Sequence, residues 1–597
     1  MKNPLPLPSR RRIALLVALV IGSLALPLAG QRSSKPAPRA FRFHDWSTRH
    51  VVYAHIGAFP AMQSAQSDPR AIFRWREVEQ ERLRGFEESR RNHEPHRPPN
   101  RHAIHRDWSI SLGTAGTAPG MFPAKFSFDV NAAPSCANDF IVFPVNTAGT
   151  ATQPNLVAFN NLYSGTAGGN GICNRAPSGT DNGTAATVLW SYNIHAIAAG
   201  GAVTISPVLS LDNTGSKVAF IESAAGNAAH FHVLAWKSGD GKDAANAQNV
   251  LKPVTISSFS ATAPAAGSGA ATDLTLGTAS DTLSSPFIDY ANDKAYVGND
   301  QGTLYRIKDV FCTVNPACTG GSPPAASLDA TWGTAGAVTV GPGSCAGSTT
   351  SKLTGPVLDS VTSNVFVGCA DGKIYGFNST GTALATPSLT VGNGSATGGV
   401  VDSAIVDGVN GFIYAVSGSN GANAVLVQAK TDLTSPQTAT LGAAGVHNIH
   451  APALNDAYFT SAASANWLIY AGGYDAGGAN LELYAASFNA ARVMNTGAPV
   501  HGAVIGNPPD EFAPLTEFKN GATDWLFLSV FANPGPNLGS MHINAWPGAT
   551  FQHTLTEGTG TSGMIVDNVS TSVQASNIYF STAGGNAAVK LTQAGFN

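Results

Sequence analysis

The chain has 597 residues, 12% of them charged, with 64 glycines and a formal net charge of −3. That length exceeds one ordinary hydrophobic core, and the scarcity of charge with abundant small turn-forming residues excludes a coiled coil, a long-helix bundle and a highly charged disordered chain. The near-neutral balance hides an asymmetry, because the first 106 residues hold 19 Lys/Arg against 8 Asp/Glu, a net of +11, and the remainder carries −14.

In chain order, residues 1–30 have the pattern of an export signal. Arg10, Arg11 and Arg12 precede an apolar run over 13–26, with small residues around Ala25, Ala29 and Gly30. The run is short for a membrane span and Pro27 interrupts it, so cleavage is expected and no stable span remains afterwards. Residues 31–106 read as a basic linker. Within it, 69–91 places Ile72, Trp75, Val78, Leu83 and Phe86 at helical spacing among Glu/Arg pairs, which predicts one amphipathic helix.

From about residue 107 the pattern changes to a repeated phrase. SPFIDYANDKAYVGNDQGTLYRI begins at Ser285, GPVLDSVTSNVFVGCADGKIYGF at Gly355 and DSAIVDGVNGFIYAV at Asp402. Each copy opens on a small residue, runs through a short apolar strand to Asp, and continues through two further strands joined by a Gly-containing turn. Alignment on the opening strand gives eight copies, starting near Phe126, Ser206, Ser285, Gly355, Asp402, Ala451, Ala513 and Gly563. Third strands align as well, from Asn155, His232, Thr303, Lys373, Asn423, Leu481, His542 and Ala587, and fourth strands follow from Thr187, Ala330 and Thr550. Four antiparallel strands per copy, repeated radially, define an all-β propeller of eight blades, with seven as the alternative. The last copy ends after its third strand. DWSISLG, residues 107–113, reads like a fourth strand and is expected to close the ring, so that the propeller spans 107–597.

VFVGCADGKIYGFNSTGTALA from Val365, and less fully AYVGNDQGTLYRI from Ala295, resemble the repeats of quinoprotein-type (PQQ-like) propellers. The resemblance implies an exported bacterial member of that superfamily. A catalytic member would hold PQQ and calcium at the channel mouth. This chain lacks an adjacent Cys-Cys pair, and Trp190 and Trp332 are the few traces of the family's Trp-docking ending.

Six cysteines suit an oxidising compartment. Strand order puts Cys136 and Cys173 on one face, Cys345 and Cys369 on the other, and Cys312 and Cys318 around one short loop, so all six are assigned to disulfides. The turn residues Asp300, Asp371 and Asp407 read as acceptors of backbone hydrogen bonds. Asp289, Asp359, Asp402 and Asp567 fall in or beside opening strands, where a cation such as calcium is the alternative use. Seven histidines, His195, His230, His232, His447, His450, His501 and His542, are placed towards one face by strand order, and form the candidate ligand-binding set. No GxSxG, HExxH, phosphate-binding loop or haem motif occurs, and no catalytic residue is assigned. The sequence thus points to an exported, periplasmic or extracellular, non-catalytic propeller that binds a protein, glycan or small ligand on one face. No cofactor and no nucleic acid are expected. The alternative is a PQQ-dependent or metal-dependent periplasmic oxidoreductase.

Overall fold

A computed structural model of the chain describes residues 51–53 and 105–592, apart from 115, 128–134, 164–172, 174–185, 213, 244–250, 313–322, 348–350, 508, 521–522, 532–536, 544–545, 549–550 and 569–575. The expected signal over 1–30 and helix over 69–91 lie outside the described residues.

Among the described residues, successive antiparallel hairpins build a series of four-stranded units. Unit one comprises Ala124–Ser127, Phe140–Pro144, Leu156–Asn160 and Thr187–Ile194. Unit two comprises Val208–Leu209, Lys217–Glu222, Ala229–Ala235 and Ala270–Leu276. Units three to six begin at Phe287–Asp289, Val357–Leu358, Ile405–Asp407 and Ala453–Leu454, and unit seven at Thr516–Asn520. The eighth unit takes Ile565–Asn568, Ser576–Ser581 and Ala587–Thr592 from the C-terminal part, and its outer strand, His105–Ser111, from the N-terminal part. The first strands touch between units one and two, three and four, four and five, six and seven, and seven and eight, and Ile565–Asn568 touches Ala124–Ser127, so the row of sheets returns on itself. The chain is a β-propeller.

Each sheet is covered on both sides by its neighbours, which explains why central strands are buried along most of their length. Phe140–Pro144 and Thr187–Ile194 are buried at every position. Trp190, Phe220 and Leu234 pack between units one and two, and Ile221, Phe231, Val297 and Ile307 between units two and three. Second-to-third turns need a left-handed residue. Gly302 and Gly372 supply it, with φ of +75° and +87°.

The repeated phrase has a physical reason at each end. Where a first strand finishes, an Asx side chain accepts the next backbone N–H groups: Asp212 from Thr214 at 2.9 Å, Asp289 from Ala291 at 3.2 Å, Asp359 from Val361 at 2.9 Å and Asp407 from Asn410 at 3.1 Å. Where a unit begins, a small hydroxyl ties it to its neighbour. Ser206 Oγ accepts from Phe122 N at 2.8 Å, Ser285 Oγ accepts from Ser206 N at 3.0 Å, and Ser403 Oγ donates to Gly355 O at 2.5 Å. Thr516 Oγ1 donates to Met564 O at 3.0 Å in the same manner. These ties satisfy inner-strand backbone groups that have no further strand to pair with.

Three details depart from the sequence reading. The fourth strand expected from Ala330 is split into Ser327–Leu328 and Ala337–Thr339, because residues 329–336 fold into turns around Asp329 and Gly336. The third strand of unit seven is Leu538–His542 and ends at His542 instead of starting there. Two short parallel strands were not foreseen: Val51–Tyr53 pairs with the inner edge of unit one, and Val254–Ile256 with its outer edge.

Cys136 is bonded to Cys173 and Cys345 to Cys369, pairings that strand order allowed but did not fix. Cys312 is disulfide-bonded, and Cys318 lies outside the described residues.

Candidate functional site

The seven histidines divide into two clusters and two separate positions. The first cluster lies on unit two, beside the link that enters it. His232, fully buried on the third strand of unit two, sets Nδ1 3.0 Å from Thr272 O and Nε2 3.2 Å from Glu222 Oε2. A carbonyl only accepts, so Nδ1 donates to Thr272 O. Glu222 also receives Ala196 N at 2.8 Å and Ile197 N at 3.3 Å, which fastens the link that enters unit two. His230 lies parallel to His232 with centroids 6.1 Å apart, and its Nδ1 is 2.8 Å from Asp273 Oδ1. That hydrogen bond raises the His230 pKa against the opposing effect of burial. His195 sits on the link itself, where its backbone N donates to Ile256 O at 2.9 Å and its Nδ1 is buried without a hydrogen-bond partner.

The second cluster spans units five, six and seven at the inner ends of their first strands. His450 Nδ1 is 3.1 Å from Asp402 Oδ2, and its Nε2 is 3.7 Å from Glu511 Oε1. Burial alone disfavours the imidazolium, but hydrogen bonds to the two carboxylates outweigh it and raise the pKa to about 10. Asp402 Oδ2 also accepts Ala451 N at 3.1 Å, and its other oxygen accepts Ser403 N at 3.3 Å. His447 packs edge-on to Tyr474 at 4.4 Å, and burial lowers its pKa to about 4. Burial acts to raise the Glu511 pKa, yet His450 and His447 bring it below the ordinary value. The cluster is a carboxylate–imidazolium–carboxylate bridge joining three units, with a neutral imidazole beside it.

His501 is largely exposed on the outer strand of unit six, 3.0 Å from Glu482 Oε2. His542 packs edge-on to Trp525 at 3.8 Å at the end of its strand, on the rim opposite to the one expected from a strand-initial position. The structure thus joins His230 with His232, and His447 with His450, leaves His195 on the neighbouring link, and does not gather the seven into one site. Among the described residues no three His, Cys, Asp or Glu side chains are placed to hold a metal ion together. Of the four opening-strand aspartates, Asp289 and Asp359 cap turns, Asp402 joins the histidine bridge, and Asp567 lies 3.0 Å from Lys125.

Sequence reasoning missed the carboxylate partners. Glu222, Asp273 and Glu511 stand 10, 43 and 61 residues from the histidines they meet, and no short motif spans such distances. The one available signal was placement, since Glu222 ends a second strand and Glu511 precedes a first strand.

No protein-family model matches the chain, and no curated protein matches it. Among solved structures, the C-terminal WD40 domain of Sif2 gives a TM-score of 0.43 at 6% identity over 83% of this chain and 99% of that one. The Dos1 propeller gives 0.43 at 9% over 82% and 96%, and Sqt1 of Saccharomyces cerevisiae 0.40 at 10% over 83% and 100%. At these values the likenesses say nothing of function.

Proposed function

We propose that this protein is an exported, non-catalytic β-propeller of eight blades that binds a protein, glycan or small ligand through the loops of one rim, at the cell envelope or outside the cell. The observation that carries the reading is the pair of disulfides on opposite rims. Cys136–Cys173 ties two loops of unit one, and Cys345–Cys369 ties the link into unit four to a turn of that unit. Such staples suit an oxidising compartment and hold recognition loops in shape before a partner arrives. The basic, signal-like N-terminal segment supports export, and no described helix is long and apolar enough to cross a membrane. His450 is engaged between units, and His230, His232 and His501 are engaged with carboxylates of their own units, which leaves recognition to the loops.

The blade style is of the quinoprotein type. In support, Trp332 packs between Tyr296 of its own unit and Phe377 of the next, at 5.8 and 6.4 Å. The backbone beside it donates from Gly333 N to Thr380 O at 2.9 Å, so the indole docks on the Asn378–Gly381 turn of the following blade.

The test is cell fractionation with thiol trapping, followed by assay of alcohols and sugars with added PQQ and calcium. Recovery outside the cytoplasm with blocked cysteines and saturable binding to envelope glycan or protein, without turnover, is the expected result. Substrate oxidation that depends on PQQ would replace this reading with the oxidoreductase.

A further inference from the structure

The first strands of units one and eight meet at a buried lysine and a buried aspartate. Lys125 and Asp567 are both 0% exposed, with Nζ 3.0 Å from Oδ2. Lys125 Nζ also contacts Phe126 O at 3.0 Å, Ser127 Oγ at 2.9 Å and Tyr163 Oη at 2.9 Å. An ammonium group has three hydrogens, and three oxygens other than Asp567 already take them. Both carboxylate oxygens of Asp567 are accordingly without a hydrogen-bond partner despite full burial. An ionised carboxylate left so is costly, and it becomes tolerable when the pair is neutral, as an amine with its lone pair towards a carboxylic acid. Burial indeed raises the Asp567 pKa, although the charge of Lys125 opposes it.

A proton acceptor is in place. Tyr163, fully buried, donates to Asp139 Oδ2 at 2.6 Å while it receives Lys125 Nζ, so a hydrogen-bonded path runs from the lysine nitrogen to a second carboxylate. Asp139 is 2% exposed and is further held by Ser135 N at 3.0 Å. The other buried lysine of this region differs. Lys590 donates to Asp107 at 2.5 Å and forms an ordinary ion pair.

We propose that Lys125 and Asp567 condense into an intramolecular isopeptide bond that covalently joins unit one to unit eight. Proton transfer within the pair gives the amine and the acid. The amine lone pair attacks Cγ of Asp567, forming the N–C bond. Asp139, through Tyr163, accepts a proton from the attacking nitrogen and returns one to the departing hydroxyl. The C–O bond breaks and one water leaves, so the step needs no oxidant, reductant or external reactant. The product replaces an unsatisfied buried charge by a neutral amide and closes the chain from 125 to 567 into a covalent ring.

The inference does not depend on the proposed binding role. Its test is mass spectrometry of the purified full chain, reduced and denatured, after its N-terminus has been read. The expected mass is lower than that of the sequence by about 18 Da, one water. A tryptic digest should contain a branched peptide linking Lys125 to Asp567. Lys125→Arg should restore the full mass, and Asp139→Asn should restore it in a protein that still folds by circular dichroism. Asp567→Asn should release ammonia instead and show a deficit of about 17 Da. Full mass in the wild type, separate Lys125 and Asp567 peptides, or a deficit mapped to Lys590 and Asp107 overturns the proposal.

Discussion

At the junction of units eight and one, Lys125 directs its N–H groups to neutral oxygens and leaves the Asp567 oxygens unbonded. At the junction of units five to seven, His450 gives one ring nitrogen to Asp402 and the other to Glu511. Both places bury opposite charges against the same desolvation cost. What differs is whether a proton lies between the partners. Where it does, as at His450, the bridge is stable as an ion pair. Where the ammonium hydrogens are directed to other oxygens, as at Lys125, the carboxylate gains no hydrogen bond, and proton transfer to it leaves a neutral pair set for the amide.

The comparison is broken most strongly at the lysine. Lys125→Met strands Asp567 in a dry interior and should lower unfolding free energy by about 3–5 kcal/mol, read by denaturant titration. Lys125→Met combined with Asp567→Leu should regain the part due to the stranded carboxylate, so a double variant no better than the single one would contradict this account.

The histidine bridge predicts a pH profile. A folded-state pKa of about 10 for His450, above the ordinary value near 6.5, means its contribution is complete below about pH 6.5 and lost as pH rises to about 10. His447, held neutral with a pKa of about 4, acts in the other direction: stability falls as pH drops from about 6.5 towards 4, where the unfolded chain binds the extra proton. Glu511, with a lowered pKa, adds to the acid limb, its contribution being lost as pH falls through its folded-state value. Thermal midpoints should therefore peak near neutral pH. His450→Gln should flatten the alkaline limb and His447→Phe the acid one; identical profiles for both variants and wild type would remove the bridge from the account.

The smallest effect concerns the neutral ties. Ser403→Ala deletes the hydrogen bond to Gly355 O and leaves that carbonyl to find another donor, for a loss of about 1 kcal/mol in the same titration. A loss comparable to that of Lys125→Met would mean that the hydroxyl ties, and not the charged junctions, dominate closure of the ring.

Much of the architecture was legible because its causes are local. Asp289, Asp359 and Asp407 mark turns that a side chain two or three residues away can satisfy, and Gly302 and Gly372 mark turns that need positive φ. Strand order put Cys136 with Cys173, and Cys345 with Cys369, on shared faces, and the structure bonds them as pairs. Strand boundaries were less legible where a turn interrupts a fourth strand, as between Leu328 and Ala337, or where a neighbouring strand sets the register, as at His542. The histidines could be assigned to a rim but not to partners.

By itself the sequence determined that this chain is a ring of repeated four-stranded sheets, since period, turn chemistry and cysteine placement are properties of neighbouring residues. Only the tertiary structure decided which charged groups share a proton. His450 meets Asp402 and Glu511 across three units, and Lys125 meets Asp567 across the closing junction. Those encounters depend on the closed ring, which brings distant segments into a low-dielectric interior where the position of one hydrogen sets the chemistry.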